Sequence, residues 1–176
     1  VLATAGLLVA VPAVAIVVLM NADWNRARPW LSARTSEALG RPLAIEGDLT
    51  LAWRQEGNQR GWRGYLPWPH LRARDVRMGN PAGVPVDPAH PQSATVSQLA
   101  FSLDPLALFE KKIVIPELRF DAPQLRLLRG KDGKNNWTFE KKNPDSPWQF
   151  ELQSVVFSKG TVYLEDGITA SSMRAD

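Results

Sequence analysis

The first twenty positions, Val1 to Met20, hold no charged residue and are apolar or small throughout. A helix of that length rises about 30 Å, the hydrocarbon thickness of a bilayer. It also lacks the polar stripe that a helix lying on a globular core would show. The pattern predicts a transmembrane anchor over 1–20, where Pro12 is tolerable because neighbouring groups in a lipid-embedded helix take up the freed carbonyl. A cleaved signal peptide competes, since Ala13-Val14-Ala15 fits a small-x-small site. Cleavage there would leave Ile16 to Met20 as an apolar mature terminus, which disfavours it. No Met and no basic flank precede Val1, so the chain is expected to begin inside a longer protein. Arg26, Arg28 and Arg34 follow the span and would, counted alone, favour a cytoplasmic C-terminal side. Charge therefore leaves the orientation open.

Residues 21–42 read as an interfacial linker and one short helix. Pro29 stands at a first helical position and Gly40 just past the end, which predicts about eleven helical residues with Leu31, Thr35 and Ala38 along one side. Trp24 and Trp30 fall where a chain would leave a bilayer, a place that suits indole; ordinary helix packing explains them equally well.

From residue 43 onward the period becomes two. Leu43, Ile45, Leu49, Leu51 and Trp53 alternate with smaller or polar residues. Leu71 and Ala73 continue the alternation, which shifts phase at Asp75 to Val76 and Met78, as a bulge would cause. Leu99, Phe101 and Leu103 form another strand face; Ile113 and Ile115 give way to Leu118 and Phe120 across Pro116 with a second phase shift. Leu125 and Leu127, then Trp148, Phe150 and Leu152, then Val162 and Leu164 complete the series. Lys131-Asp132-Gly133-Lys134 and Glu165-Asp166-Gly167 are hairpin signals. Asp104-Pro105 opens a short apolar stretch that suits a helical turn, and the four prolines at 81, 85, 88 and 91 mark a surface loop. Seven or so strands with one apolar face each, and one short helix to cover them, leave two architectures. The sheet folds on itself as a sandwich or barrel, or it forms a trough whose lining faces something apolar outside it.

Composition narrows the chemistry. The chain is 44% hydrophobic and 22% charged, so wholesale disorder is out. With no cysteine there is no disulfide framework, zinc-thiolate site or cysteine nucleophile. His70 and His90 both lie beside prolines and offer little to a metal; no cofactor and no metal site are expected. Asp121, Asp132, Asp145 and Asp166 sit in turns without acid–base pairing, and the glycines at 57, 61 and 64 do not lead from a strand into a helix. Asn136-Trp137-Thr138 fits a glycosylation sequon, but a hairpin reading suffices. An enzyme is the weakest class. Between Arg54 and Arg77 six arginines (54, 60, 63, 72, 74 and 77) face Glu56 and Asp75, with Trp62, Tyr65 and Trp68 interleaved. Such interleaving suits single-stranded nucleic acid, but a net charge of +3 is mild and an upstream anchor makes nucleic acid implausible. Anionic headgroups are the better functional partner, and a solvated strand face with a loop is the plain structural one.

Several pieces taken in order resemble the N-terminal region of the AsmA family of Gram-negative envelope proteins. After the anchor come Pro29-Trp30-Leu31, LGRPLAIEGDLTL at 39–51 and LPWPHLRARDVRMGNPAG at 66–83. VSQLAFSLDPLALFEKKIVIPELRFDAPQLRLLRGKDGKNNW follows at 96–137, and Gly160-Thr161-Val162 starts a later repeat of the strand pattern. The loop from Arg54 to Pro69 departs from the family in its length and its Arg/Trp content. The resemblance implies a fold that is mainly β, with an N-terminal transmembrane helix, one short helix, and a curled, taco-shaped antiparallel β-groove over 43–176, akin to chorein-type bridge-like lipid transfer proteins. It implies a single pass through the bacterial inner membrane with the C-terminal bulk in the periplasm, membrane phospholipid as cargo, and outer-membrane biogenesis as the setting. It favours the trough over the sandwich.

On that reading the groove lining is Leu99, Phe101, Leu103, Ile113, Ile115, Leu118, Phe120, Leu125, Leu127, Phe150 and Leu152, although plain core packing accounts for each residue taken alone. The membrane-interface candidates are Trp24, Trp30, Arg60, Trp62, Arg63 and Trp68. The alternative is an envelope scaffold that modulates outer-membrane protein assembly through periplasmic or outer-membrane protein partners and carries no lipid. A self-contained anchored β-domain would make 21–176 soluble alone. The expectation is the opposite, because a strand edge and an apolar face stay uncapped near Asp176.

Overall fold

A computed structural model describes residues 22–55, 61, 65–84, 86, 88–139 and 147–176. The anchor expected over 1–20, with Arg60, Trp62 and Arg63, lies outside the described residues; among those described, no helix is long and apolar enough to cross a membrane. A 3₁₀ turn (Trp24–Ala27) leads into helix α1 (Arg28–Leu39), with proline in its first turn and Gly40 closing it at a left-handed φ of 68°. Nine strands follow: β1 (Leu43–Ile45), β2 (Leu49–Gln55), β3 (Pro67–Gly79), β4 (Gln92–Ser102), β5 (Lys112–Asp121), β6 (Gln124–Arg129), β7 (Gln149–Ser158), β8 (Thr161–Asp166) and β9 (Ser171–Ala175). Helix α2 (Pro105–Phe109) joins β4 to β5, and the Asp104 carboxylate caps it by accepting from the backbone N–H groups of Leu106 and Ala107. That is the helical turn expected from Asp104-Pro105.

All nine strands belong to one sheet. The short strands pair end to end as halves of longer rows. β3 is antiparallel to both β1 and β2, and β4 is antiparallel to β3 and to both β5 and β6. β7 and β8 then run parallel to β5 and β6 in a single continuous register, from Lys112 opposite Gln149 to Arg129 opposite Asp166. β9 returns antiparallel to β8 through the Asp166-Gly167 turn. The expected all-antiparallel groove is therefore corrected to a mixed sheet. Parallel neighbours ordinarily need a crossover connection, usually a helix; here the connection runs through residues 130–148, and nothing in its composition marks it as a crossover.

Among the described residues no second sheet packs on this one, and the described sheet is open rather than curled. Six rows at the usual strand spacing span only about 24 Å, too narrow a ribbon to wrap around a chain.

Both phase shifts read in the sequence are present, and one of them crosses the whole sheet. Asp75, Ala122 and Lys159 adopt left-handed backbone (φ 48°, 46° and 56°). The pairing registers place Asp75, Ser97, Ala122 and Lys159 in one transverse line. Hydrogen bonding continues through it, with Ala122 N–H donating to Ser158 O (2.7 Å) and Thr161 N–H to Pro123 O (2.8 Å). Gly47 ends the line next to Asp75, where an added Cβ would fall 2.8 Å from Arg74 Cβ and 2.9 Å from its carbonyl carbon. The effect of this crease is to reset the alternation in every row at the same place, so apolar side chains on both sides of it share one face. Leu49, Ala73, Val76 and Val96 form the buried cluster that straddles it.

Helix α1 and the turn before it cover part of one edge of the sheet, from Leu43 to Leu49. Ser32 Oγ accepts from Ile45 N–H (3.1 Å) and Ser36 Oγ from Leu43 N–H (2.7 Å). Asn25 Oδ1 accepts from Leu49 N–H, and the Arg28 guanidinium donates to the carbonyls of Glu46 and Gly47. Edge groups that would invite another chain are thus satisfied by side chains. The helix turns Leu31 and its serines toward the sheet, while Ala38, expected on the same side, is exposed; hydrogen-bonding demand at the sheet edge, which hydrophobic periodicity does not register, sets its rotation.

Candidate functional site

The residues expected to line the groove lie on neighbouring strands in register. Leu99 faces Phe120, and Phe101 faces Leu118. Ile113 and Ile115 pair with Phe150 and Leu152. Leu125 lies between Ala94 and Val162, and Leu127 beside Leu164. Leu103 continues β4 beyond Phe101, its N–H bonded to Pro69 O. Of the eleven, only Ile115 is buried; Phe150 and Leu152 are exposed, and the other eight are half-buried. Leu99 and Phe120 touch the buried cluster.

The apolar face is covered unevenly. On the β1–β3 side Trp24 and Leu31 pack onto the cluster. On the β5–β9 side little lies over it, and Phe150 (64% exposed), Phe157 (61%) and Met173 (62%) are open. Val155 and Phe157 were not identified from the sequence, yet they extend the face: Val155 pairs with Leu118, and the Phe157 ring stacks on Phe120 at 5.3 Å between centroids. The missed signal is a spacing. Ile113, Ile115, Leu118 and Phe120 recur 37 residues later as Phe150, Leu152, Val155 and Phe157, the offset of the parallel register.

The other face is polar. A groove of about 690 Å³ there is lined by His70, Arg72, Gln98, Glu117, Arg119 and Asp121 among others. Arg119 pairs with Glu117 at 2.6 Å, and Arg77 with Glu46 at 3.1 Å. Mixed charge of this kind suits a solvated face. Of the membrane-interface candidates, Trp24 packs on the core and Trp30 is 67% exposed on α1. Trp68 is buried at 5% exposure within β3, so its place in the fold is structural; its position beside prolines and arginines gave no sign of this.

Two polar knots fix the far end of the face. Asn136, 2% exposed, bridges β6 to the end of β3: its Nδ2 donates to Asn80 Oδ1 and Arg126 O (both 2.7 Å), and its Oδ1 accepts from Leu128 N–H (2.9 Å). An asparagine held in this way is not available as a glycan acceptor. Buried Arg41 donates to the carbonyls of Asn136 (2.6 Å) and Thr138 (2.9 Å) and stacks over Phe139. Burial pushes its guanidinium below the ordinary arginine value. The second knot joins Arg129 to Asp166 through two charge-assisted bonds, with Ile168 N–H and the Thr169 hydroxyl also donating to the carboxylate. The Arg129 guanidinium, helped by those donors, holds the Asp166 carboxyl far below the usual carboxylate range.

Among the described residues no group of His, Asp and Glu could hold a metal ion. What the geometry presents among the described residues is an open, mixed β-sheet of one layer, covered by α1 along part of one edge, with an apolar face bare toward the other. The chain belongs to the AsmA family, whose family model matches residues 1–172. It is 34% identical over 169 residues to the AsmA family protein YhjG of Escherichia coli (strain K12), a match covering 91% of this chain and 24% of that protein. The chain thus spans about a quarter of that relative's length. No solved structure matches it.

Proposed function

We propose that this chain forms the start of an apolar trough that shields lipid acyl chains, anchored by residues 1–20 in the bacterial inner membrane with its bulk in the periplasm, for phospholipid transport toward the outer membrane. Family membership supports the setting, since AsmA proteins are linked to envelope biogenesis. The observation that carries the mechanism is the half-covered face from Leu99 and Phe101 to Phe157. An acyl chain in water costs about 0.8 kcal/mol per exposed CH₂, so a continuous apolar strip is sufficient to hold it, while the headgroup stays in solvent. Trp30, exposed at the start of α1 with Arg26 and Arg34 nearby in sequence, is suited to the bilayer interface just after the anchor.

Photo-crosslinking residues placed at Phe101 and Phe120 of the full-length protein in cells test the proposal. Lipid adducts at both positions are expected. Crosslinks only to other proteins, without lipid, would overturn it in favour of a scaffold in outer-membrane protein assembly.

A further inference from the structure

The hydrogen bonds of α1 give the chain a direction along the sheet. Ser36 bonds to Leu43, Ser32 to Ile45, Arg28 to Glu46 and Gly47, and Asn25 to Leu49. Moving back from residue 36 to residue 25 is therefore moving forward along β1 and β2, toward Gln55. That end of the sheet closes with Gln55 opposite Pro67. On the next row Leu103 N–H donates to Pro69 O, and the chain then turns through α2 to enter β5 at Lys112. The β3–β4 register, continued from His70 opposite Ser102, sets Pro105 level with Pro67. Helix α2 thus stands at the tip of the sheet, beside the start of β3.

This tip carries the two most exposed large hydrophobic side chains among the described residues, Phe109 (88%) and Tyr65 (79%). Phe109 closes α2, and Tyr65 lies two residues before β3. Both are on connections, not on the sheet itself, and neither was singled out in the sequence as an interface residue. Arg54 and Lys111 are exposed at the same end, and Lys112 follows them. The acids there are engaged: Glu110 pairs with Lys112 at 2.8 Å, and Asp104 caps α2. One exposed aromatic ring is ordinary on a protein surface. Two on adjacent connections, with cations beside them, have the chemistry of the bilayer–water boundary, where rings sit at headgroup level and cations meet lipid phosphates.

We propose that this tip docks on the surface of the same bilayer that holds residues 1–20, with Phe109 and Tyr65 at headgroup level and Arg54 and Lys111 toward the phosphates. The inference rests on the reading of 1–20 as an anchor. Met20 is five residues before Asn25, a reach of at most about 18 Å, and Gln55 is six strand residues beyond Leu49, about 20 Å. Reach and direction together bring the bilayer surface to the Gln55 end of the sheet. The inference does not depend on whether lipid occupies the apolar face.

The test uses the full-length protein with single cysteines carrying the fluorophore NBD; residues 1–176 contain no natural cysteine. The variants are Val9→Cys, Trp30→Cys, Tyr65→Cys, Phe109→Cys and Lys134→Cys, the last at the opposite end of the sheet beyond β6. Tyr65 and Phe109 are exposed, so their replacement removes no core contact. Each protein is reconstituted into phosphatidylethanolamine–phosphatidylglycerol vesicles with or without lipid spin-labelled along the acyl chain. Labels at 65 and 109 are expected to be quenched at least twofold and the label at 134 to be unaffected. Quenching at Val9 with none at 65 and 109 leaves the anchor in place and overturns the docking tip. Quenching at Trp30 in place of 65 and 109 lays the sheet along its α1 side and overturns it as well. No quenching at Val9 removes the anchor, and the proposal with it.

Discussion

Lys159 tests the crease by the sign of an effect. It is exposed at the junction of β7 and β8, in line with Ala122 and Asp75, and holds φ of 56°. At an ordinary exposed strand position, valine is favoured over lysine and glycine is worst, over a range of about 1 kcal/mol. Left-handed backbone inverts the order. It costs an L-residue roughly 1–2 kcal/mol, more for a β-branched side chain, and nothing for glycine. Glycine gives back about 0.5–1 kcal/mol through the greater freedom of the unfolded chain. Lys159→Gly is therefore expected to be neutral or stabilising by about 0.5 kcal/mol, and Lys159→Val to be destabilising by about 1 kcal/mol or more. Equilibrium urea unfolding of the detergent-solubilised protein, followed by tryptophan fluorescence, measures both. Glu151, exposed in the regular part of β7, is the control, where valine should match or exceed glycine. If valine at 159 proves as stable as glycine, the transverse line of left-handed residues is not a feature of the folded protein.

Asn136→Ala removes three buried hydrogen bonds and strands Leu128 N–H and Arg126 O. The expected loss is about 2–4 kcal/mol, read as a fall in melting temperature on the order of 5–15 °C for a chain of this size; a fall under about 2 °C would show that Asn136 does not pin the hairpin. For Asp166 the sign follows from its depressed pKa. Its stabilisation is fully present above the unfolded carboxyl value, about 4, and is lost as pH falls through the much lower folded value. Wild type should lose stability below about pH 4 more steeply than Asp166→Asn, with the difference between them constant from pH 5 to 7; parallel curves at low pH would contradict the pairing with Arg129.

The sequence showed most of the strands, because alternation and Asp-Gly turns are local. It showed the helix through Pro29 and Gly40, and the phase shifts at Asp75 and Pro116 through the interruption of a period of two. The parallel pairing of β5 with β7 was not legible, since direction depends on the connection through residues 130–148, which has no sequence signature of its own. The same 37-residue recurrence would have exposed both that pairing and the missed residues Val155 and Phe157. Trp68 misled because indole beside arginine suits an interface as well as an interior, and only the packing around β3 separates the two. Ser32 and Ser36 carry no signal in a hydrophobic pattern, although their hydroxyls accept from the Ile45 and Leu43 N–H groups at the sheet edge. The candidate face was legible as a set of strand residues; its openness was not, because an alternating strand has the same pattern whether a second layer covers it or not.

The central claim is that the bare apolar face is occupied by hydrocarbon. Its most direct measurement is the amount of phospholipid that co-purifies with the full-length protein, set against a Leu118→Lys and Phe157→Lys double variant that places two cations on adjoining strands of that face. The account predicts at least one bound phospholipid per wild-type chain and a several-fold loss in a variant that remains folded. Equal lipid on the two proteins, or none on the wild type, would contradict it.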